Sequence, residues 1–319
     1  MRISLPTRSL RLALAAAVAA LAATSACSTT SAKTSADAKA GDGKSGGGVV
    51  QVAAAENFWG SIAGQLGGDH VKVTSIITNP DTDPHAYEPT ANDGRTVAGA
   101  KYVITNGAGY DAWSDKLLAA NPADGRTALK VGDLVGVKEG GNPHQWYSPE
   151  NVHKVIDKVT DDLKKLDPAD AAYFDQQKST YLTKTLAPYD KQIADIKAAY
   201  AGTPIGASES IVTPLAEALG LKLLTPEKYL DAISEGTDPT AQDKATVDEQ
   251  IKTKQIKVYV YNSQNSTPDI QAQVEAAKAQ GIPVATVTET LAPADTPFQD
   301  WQTTQLQGLA AALKQATGK

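Results

Sequence analysis

Two hydrophobic rhythms alternate along this chain. Short apolar runs closed by Gly, Pro, Asn or Asp read as buried strands, and longer stretches with apolar residues every three or four positions read as helices laid against them. In the front half the runs fall at 49–54, 71–78, 101–106 and, more weakly, 128–131. Helices are expected at 58–66, through Trp113 and Leu117, and along the stripe Val152, Val155, Ile156, Val159, Leu163 and Leu166, which Ser148 and Pro149 open. The back half repeats the rhythm without repeating the sequence. Its strands are expected at 204–207, 222–224, 256–261 and 283–288, with helices reaching Leu219, spanning 241–254, ending near Gln280 and closing the chain at 298–317.

Between the halves, residues 167–200 carry no turn signal until Gly202 and Pro204. Asp167 is the expected N-cap and Pro168 the first helical residue, with Asp170 adding negative charge to the first turn. Such a helix would run roughly 50 Å, with a kink at Pro188 where a backbone donor is missing. The fold class is therefore α/β: two α/β lobes with mostly parallel sheets joined by one long linking helix. The domain bounds that follow are 1–27 for a signal peptide with its cysteine, 28–48 for a tether, 49–166 for the N-terminal lobe, 167–200 for the linking helix and 201–319 for the C-terminal lobe. The functional site is expected in the cleft between the lobes.

The leader changes the picture of location. Arg2, Arg8 and Arg11 precede an apolar run at 12–23, and Ser25 and Ala26 supply small residues at the cut, the pattern of a secretion signal. The run is too short for a comfortable membrane span. Cys27, directly after Thr-Ser-Ala, resembles the lipobox of bacterial lipoproteins, with Thr24 where Leu is usual. Its acylation would anchor an extracytoplasmic protein to the cell membrane; the alternative is an ordinary signal peptide. Residues 28–48, rich in Ser, Thr, Ala, Lys and Gly, have no apolar periodicity and read as a disordered tether.

Charge and cysteine use remove other classes. A net charge of −6 with 21% charged residues leaves no basic field for nucleic acid. Cys27 is the one cysteine, so neither an internal disulfide nor a thiolate metal site is available.

Four histidines remain as candidate chemistry. His70, after Gly-Gly-Asp in a turn, reads as solvated, and His153 sits off the apolar stripe of its helix as a surface residue. His85 in DPHAYEP and His144 in NPHQW differ: each follows a proline in a loop at a strand end, where open α/β sheets bind ligands. Imidazole is the commonest neutral ligand of divalent transition metals, so the pair brings a metal into consideration.

The tether, the DPH loop, the NPH-aromatic loop and the long joining helix together resemble the zinc/manganese-binding lipoproteins of bacterial metal ABC importers. The likeness runs from AENFWG to the C-terminal helix. It implies four ligands to one ion, two from each lobe: His85, His144, Glu209 in ASESIVTPLAEALGL, and Glu289 in VATVTETL, where the family commonly carries Asp. The histidine-rich loop of many zinc members is absent. Two neutral imidazoles and two carboxylates would offset a dication in a closed cleft, and a site filled by protein suits capture and handover. The set suits Zn²⁺, with Mn²⁺ as the alternative.

The resemblance further implies a monomeric receptor that is no enzyme, has no catalytic residue, and passes metal to a permease with its cytoplasmic ATPase. Glu56 and Asn57 are candidates for holding a histidine tautomer or capping a strand end. Trp146 could shield the metal, and Asn262 and Gln264 could line the cleft. Glu88 is expected at the surface and Glu235 is a gate candidate. A secreted metallohydrolase using Glu289 as base, or an adhesin with a structural metal, are the competing readings; no HExxH or GxSxG spacing supports the former.

Overall fold

The computed structural model describes residues 48–319; the signal segment, Cys27 and nearly all of the tether lie outside the described residues. The front half runs β1 (Val50–Glu56), α1 (Asn57–Gly67), a 3₁₀ turn at Gly68–His70, β2 (Val71–Ile77), α2 (Ala91–Gly99), β3 (Tyr102–Thr105), α3 (Ala112–Ala120), β4 (Thr127–Lys130), α4 (Val131–Val135) and, after a 3₁₀ turn at Gln145–Tyr147, α5 (Pro149–Leu166). The connecting path follows as a 3₁₀ turn at Pro168–Asp170, α6 (Ala171–Thr180), a π turn at Tyr181–Thr185 and α7 (Ala187–Tyr200). The back half is β5 (Pro204–Ala207), a 3₁₀ turn at Ser210–Val212, α8 (Thr213–Leu219), β6 (Lys222–Leu223), α9 (Glu227–Ser234), α10 (Ala241–Lys252), β7 (Val258–Asn262), α11 (Pro268–Ala279), β8 (Val284–Val287) and α12 (Phe298–Thr317).

Each half builds a four-stranded, all-parallel sheet, in the orders β2-β1-β3-β4 and β6-β5-β7-β8. The two sheets thus share one topology. In both, the chain leaves its first strand to one side and returns on the other, which opens a crevice at the carboxyl ends of the central strands. Burial explains the strand choice: β3 is buried at every position and β1 at all but Gln51, as parallel strands covered on both faces must be.

Three elements differ from expectation. α2 has too little apolar periodicity to be read as a helix, with Asp93 and Val97 its buried residues. It forms because Thr90 and Asp93 make a reciprocal capping box. α9 is short and buries Tyr229, Leu230 and Ile233. The connecting path is helical from Pro168 to Tyr200 but not one α-helix. Leu186 N–H donates to the Tyr181 carbonyl at 2.7 Å, five residues back. The widened turn lies where the Pro188 ring would otherwise press on the carbonyl of residue 184 and leave it without a donor. Asp167 precedes the path as expected, yet its side chain makes no capping bond.

One apolar cluster runs through the whole body, from Val52 and Ile104 through Phe174 and Tyr189 to Ile205, Val260 and Leu306. α5, α6 and α7 supply its middle, so the connecting helices are part of the core rather than a bare strut. α5 shows why: Ser148 caps it by accepting from Asn151 N–H, Pro149 starts it, and its stripe from Val152 to Leu163 is buried.

Candidate metal centre

The four residues with metal-ligand chemistry occupy loops at the carboxyl end of the two sheets. His85 lies beyond β2 and His144 beyond α4, while Glu209 and Glu289 follow the ends of β5 and β8. His85, His144 and Glu289 each offer one ligand atom, and these atoms all lie within 4.8 Å of one another. Glu209 stands outside that trio but beside it: it is fully buried, and the Glu289 carboxylate acts on it electrostatically. Among the described residues no hydrogen-bond partner meets His85 Nε2, His144 Nε2 or Glu209 Oε1. Buried polar atoms are rarely left so, and the chemistry of these three fits a bound cation.

His144 is the best defined. Its Nδ1 lies 2.9 Å from Asn142 Oδ1, which also accepts the His144 backbone N–H at 3.0 Å. Asn142 Nδ2 donates to the Ser210 carbonyl at 2.7 Å, which fixes the amide orientation and makes Oδ1 the atom facing the ring. The proton therefore belongs on Nδ1, and the Nε2 lone pair points toward Glu289 Oε1, 3.5 Å away. Burial, opposed in part by Glu289, holds the imidazole below its usual range and keeps it neutral at pH 7. Two acceptors facing each other in this way call for a positive charge between them.

The DPH loop is braced on its own lobe. Trp113 Nε1 donates to the Pro84 carbonyl at 3.1 Å, and Asp83 Oδ1 accepts the His85 N–H at 2.9 Å. Asp93 takes the Tyr87 hydroxyl at 2.8 Å. The NPH loop is braced through Asn106, whose Nδ2 donates to the Pro143 carbonyl at 2.9 Å. Behind both imidazoles stands an aromatic wall. Tyr110 is 4.7 Å from the His85 ring, and Trp146 is 5.2 Å from the His144 ring and stacks on Phe58 at 4.2 Å, between ring centroids. All three aromatics are buried.

The acidic half is held differently. Glu209 Oε2 accepts from Asn265 Nδ2 at 2.8 Å. Desolvation, then the charge of Glu289, push its carboxyl up to about 8. Gln264 Oε1 takes the backbone N–H groups of Glu289 and Thr290 at 2.8 and 3.0 Å, so it positions the Glu289 loop. Asn262 Oδ1 accepts the Gln264 backbone N–H and so turns the separate loop after β7 that carries Gln264.

Several expectations are corrected. Glu56 neither holds a histidine nor caps α1; it is fully buried with both carboxyl oxygens lacking a hydrogen-bond partner among the described residues. Desolvation and neighbouring Asp111 hold it well above the carboxylate range. Asn57 bridges the lobes instead, its Oδ1 accepting Leu291 N–H at 3.2 Å. His70 is tied to Asp170 at 2.9 Å and so is not simply solvated, while His153 lies at the surface as expected, 3.0 Å from Asp190. Glu88 is exposed as expected. Glu235 is exposed too, on the rim of a cavity of about 710 Å³ that His85, Asn142 and Ser210 also line. A second cavity, of about 130 Å³, reaches His85 and Glu289 past Asp81 and Asp83. Asn142, Asn265 and Tyr110 escaped the sequence reading. The one signal was turn chemistry, NGAGY and GGNPH, around two of them.

Comparison with known proteins places the geometry in context. The family model described as "Zinc-uptake complex component A periplasmic" matches residues 52–312. The manganese-binding lipoprotein MntA of Halalkalibacterium halodurans is 27% identical over 136 residues, covering 42% of this chain and 45% of that protein. The zinc-binding lipoprotein AdcA of Streptococcus pneumoniae is 25% identical over 274 residues, covering 79% of this chain and 53% of that protein. The chain thus spans about half the length of these curated relatives. Among solved structures, a periplasmic metal-binding protein from Candidatus Liberibacter asiaticus superposes with a TM-score of 0.69 at 23% identity, covering 82% of this chain and 98% of that one. It establishes the two-lobe fold.

Proposed function

This chain belongs to the zinc-uptake complex component A family, and from that premise we propose that it is an extracytoplasmic receptor that captures a divalent transition metal and delivers it to an ABC importer. The cargo we favour is zinc, with manganese as the alternative. The receiving partners are the importer's permease and its cytoplasmic ATPase, and Cys27 carries the lipid that keeps a monomeric receptor at the membrane. His85, His144, Glu209 and Glu289 are the proposed ligands. The observation that carries the reading is the convergence of His85, His144 and Glu289 within 4.8 Å, two imidazoles from one lobe and a carboxylate from the other.

The donor set supports zinc on general grounds, because a site of two imidazoles and two carboxylates binds Zn²⁺ more tightly than Mn²⁺. Capture without hydrolysis follows from filling every position with protein, whereas a hydrolytic zinc keeps one position for water. Handover is read as a small local movement. The lobes are stitched near the site by Asn142 to Ser210 and by the Tyr147 hydroxyl to the Thr288 carbonyl at 2.8 Å, and farther along α1 by Gln65 to Gln299 at 3.1 Å. With this stitching and a shared core, loop displacement at Glu289 and His85 releases the ion at lower cost than separating the lobes.

Metal analysis of protein purified from its own host, together with growth of a deletion strain under chelation, tests the reading. Zinc in the native protein and a growth defect cured by added zinc are expected. Metal-free protein from host cells and normal growth of the deletion strain would overturn it.

A further inference from the structure

A second group of metal-ligand side chains lies at the opposite end of the N-terminal sheet, where β2 begins. His70 Nδ1 is 2.9 Å from Asp170 Oδ2 and 4.0 Å from Asp167 Oδ2, and the offered atoms of all three residues lie within 4.8 Å of one another. Ligands of a tetrahedral zinc at about 2.0–2.2 Å stand roughly 3.3–3.6 Å apart, a spacing these distances bracket. We propose that His70, Asp167 and Asp170 form a second divalent-cation site, which clamps the start of the connecting helix to the N-terminal lobe.

The proposal does not rest on the pair His70–Asp170, which a plain hydrogen bond would explain. It rests on Asp167. This residue is 6% exposed, its side chain does not cap the helix it precedes, and Oδ2 has no hydrogen-bond partner among the described residues. A buried carboxylate oxygen facing an imidazole across 4.0 Å is too far for a hydrogen bond and well spaced for a shared ion.

The ring is held for the role. His70 packs on Tyr173 at 4.2 Å and on Phe174 at 5.9 Å between centroids, both from α6. The approach requires Gly68, whose φ is +50° and where a Cβ would meet the Tyr173 hydroxyl at 2.0 Å. One imidazole and two carboxylates leave a coordination position toward solvent, so the affinity is expected to lie below that of the cleft.

Calorimetric titration of the untagged protein with Zn²⁺ tests the site. Two equivalents are expected, a tight one and a weaker one. His70→Gln and Asp167→Asn should each weaken the second at least tenfold and leave the first unchanged, while His144→Ala should do the reverse. The proposal is overturned if the weaker equivalent survives both His70→Gln and Asp167→Asn, or if only one equivalent binds and neither substitution moves it. A single equivalent lost in His70→Gln but kept in His144→Ala would support this site and sink the cleft reading instead. Circular dichroism in chelator confirms folding; should Asp167→Asn fail to fold, His70→Gln carries the test.

Discussion

Loading the cleft at neutral pH should eject a proton, and the carrier is Glu209. Its carboxyl is pushed up to about 8, by desolvation first and by Glu289 second, so the empty protein holds it mostly protonated at pH 7. A metal ligand must be deprotonated, and binding therefore competes with that proton. For a group titrating near 8, apparent affinity should fall about eightfold from pH 8.5 to pH 7, with release of about 0.9 proton per ion at pH 7. His144 adds little to this window, because burial keeps it neutral. The assay is chelator competition across that range, paired with calorimetry in buffers of different ionisation enthalpy. Glu209→Gln should bind more weakly at every pH and lose the slope. A flat wild-type profile, or the same slope in Glu209→Gln, would refute the argument. Stability follows the opposite sign in the empty protein. The folded value is raised, so the contribution of Glu209 is present below its unfolded pKa and is lost as pH rises toward about 8.

Other outcomes follow from the same geometry. Asn142→Ala removes the acceptor that fixes the His144 tautomer, and metal affinity measured by competition should drop roughly 10–100-fold. Glu209→Ala should cut affinity far more than His153→Ala, whose partner is Asp190 on the connecting helix; equal losses would mean that the ligands are misassigned. Metal at a hundred times its Kd adds about 2.7 kcal/mol to the folded state, and a melting scan should show a rise of about 5–10 °C that chelator removes.

Much of the architecture is written in local patterns. The bounds of β5 and α12 coincide with the apolar runs expected at 204–207 and 298–317, and the shared rhythm of the halves became one shared sheet order. α2 was hidden because two glycines and few apolar residues left its capping box as the sole cue. His85 and His144 stand out in the sequence as proline-flanked histidines in strand-end loops, whereas Glu209 and Glu289 are expected only through the family resemblance. What surrounds them does not stand out. Asn142 reaches His144 from two positions away, but its amide is oriented by the Ser210 carbonyl across 68 positions, and Asn265 meets Glu209 across 56 positions of sequence. Glu56 misled because a strand-end acid looks functional in sequence, whereas in the fold it is fully buried, and desolvation and Asp111 raise its carboxyl well above the usual range. Such pairings belong to tertiary packing, which no window of adjacent residues encodes.

The two halves of the cleft hold their donors by unlike means. The imidazoles are braced by short bonds within their own lobe, whereas the two acids strain against each other and lean on the amides of Gln264 and Asn265. One side is a fixed template and the other a tunable jaw. Exchanging one acid for a shorter one, or an amide for another, can retune which cargo is preferred while the template stays untouched, so changes in ion preference can accumulate on the second lobe alone.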